Sequence, residues 1–510
     1  MNLRWGLLVT ALLYVLVVLF VMKTLLHDGF GLSTMLTLVP LAAIITVIAI
    51  NSLSAYRIGL LVGAQAMVTY IIPIPLFDRL TVGMLAGLFL MSIYLLTYAL
   101  TKKESEGVHR NFPSLMLAIT AVVVITRLII DRPGSARLGG VGGAGEAVAI
   151  LLAMVIYFVG SKMCALPWDA RKNYRAALLV CAIAYFPLGL EMVKRLIYGH
   201  EQLNLYTVPM FTLAAFILVY FIDKSAQSKL PKFKVLTFLI TGLILLFSFI
   251  SARRAAPFAA MASIFVMVYC YKQIRQFMAV ALCALPLMFI FFLMQPEKIP
   301  QSMARTLSTV LPTSVSYDLR NRYSLGEMGF ENEWRSRLAR MAWEDIKRHP
   351  IFGRGFSYSF DDIVAAVSTV GQSRQDALYE GLALSGGYHD GILTMASFCG
   401  LPAAVAMVIS MLSLLGLFIS KVRRLPPSPQ KMFAAALGAT FVANFVQMAT
   451  NGSGPSIYIL CAQMAVMNGF LFLLSKSAVM EGAQPQPALP ANAALTPARG
   501  PVMLRPLQQD

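Results

Sequence analysis

The chain has 510 residues, 58% of them hydrophobic and 13% charged, with a mean hydropathy of +0.71. A soluble domain carries about 25% charged residues, so composition excludes an ordinary soluble enzyme and predicts an all-α polytopic membrane protein, its backbone paired as helix in lipid. The formal charge of +18 would suggest nucleic acid in a soluble protein; here Lys and Arg in short loops set topology, no nucleic-acid partner is expected, and the remaining cations are available to an anionic substrate.

About fourteen apolar segments reach spanning length, which predicts about 12–14 transmembrane helices in contact with membrane lipids. They lie at 5–22, 32–51, 58–75, 80–101, 113–130, 143–163, 176–193, 205–222, 235–250, 255–271, 277–295, 388–420, 432–450 and 455–475. The first run is long for a signal peptide and meets no small-residue cleavage site before Lys23, so it reads as a membrane helix. The 388–420 segment exceeds one span and is expected to tilt or bend. The basic loops 102–110, 171–175, 223–234, 272–275 and 421–431 fall on one side when the N-terminus is inside. Parity then puts the loop 296–387, Arg253, Arg254 and the start of the 388–420 segment together on the outer side, and the C-terminus inside.

Four regions follow: an N-terminal helix bundle at 1–295, a large outer loop containing helices at 296–387, C-terminal membrane helices at 388–476, and a tail at 477–510. The tail is rich in Pro, Ala and Gln and is expected to be disordered and cytoplasmic. Six cysteines (Cys164, Cys181, Cys270, Cys283, Cys399, Cys461) lie in or beside apolar segments, form no CxxC pair and read as packing residues. No nucleotide-binding glycine loop is present, so energy for chemistry arrives in the substrate.

The charged island between the apolar segments carries the candidate chemistry. Residues 331–347 lack Gly and Pro and precede Pro350, which predicts a helix. Steps of about 100° put Trp334, Leu338, Met341, Ala342 and Ile346 on one arc. Arg340 and Lys347 point away, with Arg337 off the arc towards them, while Arg335 falls within the apolar arc. A guanidinium there needs an anion: either a carboxylate such as Glu331 one turn earlier, or a phosphate, which the planar fork suits. Arg253 and Arg254 in SARRAAP stand at an outer helix boundary, either snorkelling to the interface or facing a polar cavity. His389 follows Gly386, Gly387 and Tyr388 and opens an apolar helix, where it is either a hydrogen-bonded terminal histidine or a general base. Gly353 and Gly355 in HPIFGRGF permit positive φ or close backbone approach, as punctuation or as a surface against substrate.

The ordered series SARRAA, WEDIKRHPIFGRGF and YHDGILTMASFCGLP resembles the O-antigen ligase and polymerase family of bacterial membrane glycosyltransferases over roughly 251–405. Such proteins show an arginine helix, then hPxxGxG, then HNxxLxxxxxxGLxG. This chain departs at Asp390, where the family has Asn, at Ala403, where it has Gly, and at the split Ser251-Ala-Arg-Arg. Aligned on IKxHP, the family's loop arginine falls on Arg335; Arg254 is preferred over Arg253, because Ala255 and Ala256 then take the family's small positions. The resemblance implies a bacterial inner-membrane, multi-pass enzyme with its active site on the periplasmic face. It implies a polyprenyl-diphosphate-linked glycan donor and either a lipid A-core or a glycan acceptor. His389 is then the catalytic base, and Arg254, Arg335, Arg253, Arg337 and Arg340 bind the diphosphate, supported by Asp390, Gly353 and Gly355. Direct displacement by the acceptor hydroxyl inverts the anomeric centre. No metal and no cofactor is expected: acidic residues are sparse, no DxD-type motif occurs, and arginines can assist departure of the diphosphate. A lipid-linked oligosaccharide flippase is the more distant alternative, disfavoured because many charges gather in one outer loop rather than inside helices.

Overall fold

The computed structural model describes residues 56–66, 81–101, 111–131, 143–197, 208–228, 230–250, 255–275, 277–278, 290, 294, 326–356, 390–451 and 454–483. Among these residues there is no strand, and the fold is all-α. In chain order the helices are α1 (56–66), α2 (Val82–Thr101), α3 (Phe112–Asp131), α4 (Gly143–Cys164), α5 (Ala170–Ile197), α6 (Val208–Gln227), α7 (Pro231–Ile250) and α8 (Ala255–Cys270). There follow α9 (Gly326–Arg348), α10 (Gly391–Cys399), α11 (Leu401–Arg424), α12 (Pro429–Asn451) and α13 (Gly454–Ala483). Several open with proline in the first turn, where its missing N–H costs nothing: Pro113, Pro209, Pro231, Pro402, Pro429 and Pro455.

Five described helices are long and apolar enough to cross a membrane: Phe112–Asp131, Pro231–Ser248, Leu401–Arg424, Pro429–Thr450 and Ser456–Lys476. Shorter apolar helices lie at Val82–Leu95, Ala149–Cys164 and Ala255–Cys270. Ile119, Val122, Ile125 and Ile129 form an exposed stripe along α3, and Leu236, Leu239, Leu243 and Leu246 form one along α7. Their helical spacing gives each helix an apolar outer face, the surface that lipid covers. The protein is therefore a multi-pass membrane protein.

Inside, α13 packs along α4, α12 along α8 and α6, and α11 along α3. The core is filled by Tyr157, Phe216, Phe418, Phe433, Phe441 and Tyr458, each under 2% exposed. The described cysteines, Cys164, Cys181, Cys270, Cys399 and Cys461, are free and buried, as packing residues should be; Cys283 lies outside the described residues.

Residues assigned to one side by loop charge do meet. At one end Tyr271 donates to Asp223 (3.0 Å), Arg423 to the Tyr269 hydroxyl (2.8 Å) and Lys431 to the Leu425 carbonyl (2.6 Å). Trp168 lies against Phe433 with ring centroids 5.1 Å apart, which brings the preceding loop to the same end. A separate cluster joins Asp131, the 349–356 turn and the start of α11.

Several boundaries differ from the sequence reading; α5 opens at Ala170, so residues 171–175, expected as a loop, are helical. The helix expected at 331–347 begins earlier, at Gly326. The 388–420 segment, expected to tilt or bend, is interrupted at Gly400, which divides α10 from α11. The last helix continues to Ala483, beyond the boundary expected at 476; Ala478 and Val479 in SKSAVMEGA favour helix or continue the apolar run, and proline first appears at Pro485. Residues 484–510, the segments 5–22 and 32–51, and most of 277–295 lie outside the described residues.

Candidate active site

A turn and a broken helix hold the candidate site together through backbone hydrogen bonds. Helix α9 ends at Arg348, and the chain folds back as His349 N–H donates to Asp345 O (3.1 Å) and Gly353 N–H to His349 O (3.0 Å). The next N–H groups reach across to α10: Arg354 donates to Ser397 O (2.8 Å) and Gly355 to Phe398 O (3.1 Å). Leu401 N–H returns a bond to Pro350 O (2.8 Å). The terminal carbonyls of α10, which no intrahelical donor can satisfy, are thus taken up by the turn.

Such close approach requires glycine. Gly353, Gly355 and Gly400 all have positive φ, at 66°, 87° and 88°. A Cβ on Gly353 would strike the Phe398 carbonyl, one on Gly400 the Ile351 carbonyl, and one on Gly355 the Arg127 and Asp131 side chains. In the described structure these two motif glycines, Gly353 and Gly355, therefore face protein and act as an interlock.

Side chains extend the lock to three helices. Asp345 of α9 accepts from Ser397 Oγ (2.8 Å) and lies 3.4 Å from the Arg354 guanidinium. Arg354 also covers the Phe398 ring (4.9 Å), on which Phe356 stacks with centroids 5.2 Å apart. From α3, Asp131 pairs with Arg127 (3.2 Å) and accepts the Phe356 N–H (2.7 Å), its side chain only 4% exposed. Sequence reasoning missed Arg127, Asp131, Asp345, Arg354 and Ser397 as members of this site. The only signal for the first pair is i,i+4 spacing of opposite charges at the end of an apolar segment.

This lock sets the position of Arg335. Helices α9 and α10 run in the same direction, since Leu338 and Ala342 pack on Leu393 while Asp345 meets Ser397. Continued upstream, that register brings position 335 about level with the start of α10, within roughly one turn. The wheel is borne out for its described members: Leu338, Ala342 and Ile346 are buried, and Arg337, Arg340 and Lys347 are exposed. The Arg335 side chain lies outside the described residues, as do Arg253, Arg254 and His389. Arg254 immediately precedes α8, whose first residues Ala255 and Ala256 are buried.

Asp390 is the N-cap of α10. Its Oδ1 accepts from Ile392 N–H (2.8 Å) and Leu393 N–H (3.0 Å), two of the orphan donors of the first turn. Asn and Asp cap equally well, so the departure from the family's Asn leaves this task unchanged. His349 is exposed at the end of α9, where its backbone serves the turn.

Lysine at position 335 would keep the charge but could not offer a phosphate the two-pronged contact that an arginine fork can make. We expect Arg335→Lys to remove most transfer activity at normal protein levels. Arg337→Lys, on the exposed side where charge alone suffices, should keep it. Equal tolerance at both positions, measured by transfer in membranes, would show that Arg335 is not a bidentate phosphate ligand.

Fold and site together define a polytopic α-helical membrane protein in which an arginine-bearing helix is locked beside the start of a short apolar helix. Residues 236–408 match the profile of the O-antigen ligase family, and over that segment the chain carries that family's domain. The match runs from within α7 to within α11 and encloses the 251–405 stretch whose motifs carried the resemblance. No curated protein matches the chain. The match supports a membrane glycan-transfer enzyme of the O-antigen ligase and polymerase type.

Proposed function

We propose that the protein is an O-antigen ligase. It transfers a glycan from a polyprenyl-diphosphate carrier to a lipid A-core acceptor at the periplasmic face of the inner membrane, without a metal and with inversion. The observation that supports this most directly is the lock of α9 on α10, which sets position 335 about level with the start of α10, where His389 immediately precedes the Asp390 cap. Arginines there neutralise charge as the diphosphate departs. His389 takes the proton of the attacking hydroxyl. The anomeric C–O bond to the diphosphate breaks as the bond to the acceptor oxygen forms from the opposite face.

A polymerase joining lipid-linked repeats uses the same donor chemistry and differs only in acceptor. The lipopolysaccharide ladder of a deletion strain separates the two. Loss of a ligase leaves lipid A-core without O-chain, while polymer accumulates on the carrier. Core capped by a single repeat would overturn the ligase reading in favour of the polymerase. Core without O-chain, with carrier-linked glycan trapped on the inner leaflet instead of polymer accumulating at the periplasmic face, would favour the flippase.

A further inference from the structure

Buried amides on α12 carry an inference about the donor. Asn444 is 4% exposed, and neither its Nδ2 nor its Oδ1 has a hydrogen-bond partner; Gln447 Nε2 is likewise buried without one. The two residues are three apart and share a face with Thr440, which receives the Gln463 amide at 3.5 Å. Unpaired amides are costly in the apolar interior of a membrane protein, where water is not at hand to satisfy them.

Their level in the bundle is informative. A Cβ on Gly438 would lie 3.6 Å from Val266, and Ala443 packs with Ala256, Ala259 and Ala260. Helices α12 and α8 are therefore antiparallel. One more turn along this register brings Gln447 about level with Ala255, the residue after Arg254, and Asn444 about one turn deeper. Helix α12 also packs against α10, whose cap follows His389. The amides thus belong to the helix that touches α8 and α10, the elements that follow the proposed diphosphate arginine and base in the chain. They lie outside the 236–408 segment matched by the family.

An amide offers one donor group and one acceptor and no charge. That pairing suits sugar hydroxyl or acetamido groups rather than phosphate. We infer that Asn444 and Gln447 form a hydrogen-bonding subsite for the sugar directly linked to the carrier diphosphate. This rests on the functional reading above and adds to it the recognition of the first sugar.

The test uses the purified full chain with a polyprenyl-diphosphate-linked oligosaccharide as donor and lipid A-core as acceptor. Sugar-free polyprenyl diphosphate serves as competitor. Asn444→Leu and Gln447→Met keep side-chain size and remove the amide. Each is expected to raise the donor KM by about tenfold, the loss of one well-made hydrogen bond to a substrate, while inhibition by the sugar-free carrier stays unchanged. Unchanged donor KM in both variants, with a raised melting temperature, would show amides that are merely unpaired and would overturn the inference. Weakening of the sugar-free carrier to the same degree would also overturn it, because the damage would then lie in the diphosphate site or the fold. If Asn444→Leu fails to accumulate, Gln447→Met at the half-buried position decides alone. A wild-type protein that transfers no glycan removes the functional reading itself, whereas unchanged KM in an active enzyme removes only this inference.

Discussion

His389→Ala is expected to abolish visible glycan transfer while the protein still inserts and still binds the lipid-linked donor. A sugar hydroxyl is a weak nucleophile, and a positioned base contributes about 10²–10⁴-fold. In this scheme the diphosphate is held by Arg254 and Arg335, so donor binding does not depend on the imidazole. His389 adjoins Asp390, and the two must be told apart. The structure supplies the means, because Asp390 is spent on the N-cap of α10 through Oδ1. Asp390→Asn keeps a capping side chain but cannot take a proton, so it is expected to retain near-normal turnover. Asp390→Ala loses the cap, a cost of about 1 kcal/mol, and should lower stability more than the chemical step. Turnover with purified donor and acceptor across a pH series decides. A dead Asp390→Asn beside an active His389→Ala would make the carboxylate the base and the assignment wrong.

Gly400→Ala is expected to break the lock without touching any charged group. Gly400 has φ 88° and ψ 165°, a region essentially restricted to glycine and worth about 1–3 kcal/mol of strain for other residues. The added methyl would also fall on the Ile351 carbonyl, pushing the 349–356 turn off the end of α10. The expected result is a lower melting temperature in detergent and loss of transfer by about tenfold or more, corresponding to at least about 1.4 kcal/mol at the transition state. Gly416→Ala in α11 is the control, since a Cβ there meets nothing within 4 Å. It should be neutral or slightly stabilising, by up to about 1 kcal/mol of helix propensity. Equal behaviour of the two variants would mean that the turn does not depend on the break at Gly400.

Much of this protein is written in local pattern. The apolar runs from 80–101 through 255–271, and again at 432–450 and 455–475, predict described helices closely, because a chain in lipid must pair its own backbone and helix is the local way to do so. The polar and apolar faces of α9 were equally legible. Leu338, Ala342 and Ile346 had to be buried and Arg340 and Lys347 exposed, since a 3.6-residue period leaves no other arrangement. The motif order from SARRAA to CGLP pointed to the family that the matched segment 236–408 supports.

What local pattern could not supply was the partner of each element. HPIFGRGF is visibly a turn, but nothing in it says that its N–H groups satisfy the end of α10, or that Gly355 lies against Arg127 and Asp131, more than two hundred residues earlier. A tilt or bend was legible in the length of the 388–420 segment, but its place at Gly400 was hidden for the same reason. A glycine between Cys399 and Leu401 is tolerated inside an apolar helix, and only the Ile351 carbonyl lying where a Cβ would stand makes it obligatory. The role of Asp390 as a cap became visible only once α10 was seen to start at Gly391. Sequence by itself determined which residues are helical, which faces are apolar and where the charged groups gather. The tertiary structure alone decided that α3, α9 and α10 are fixed to one another, because that choice rests on which backbone groups meet which distant backbone groups and carboxylates, Asp131 and Asp345 among them, and no local pattern reveals that pairing.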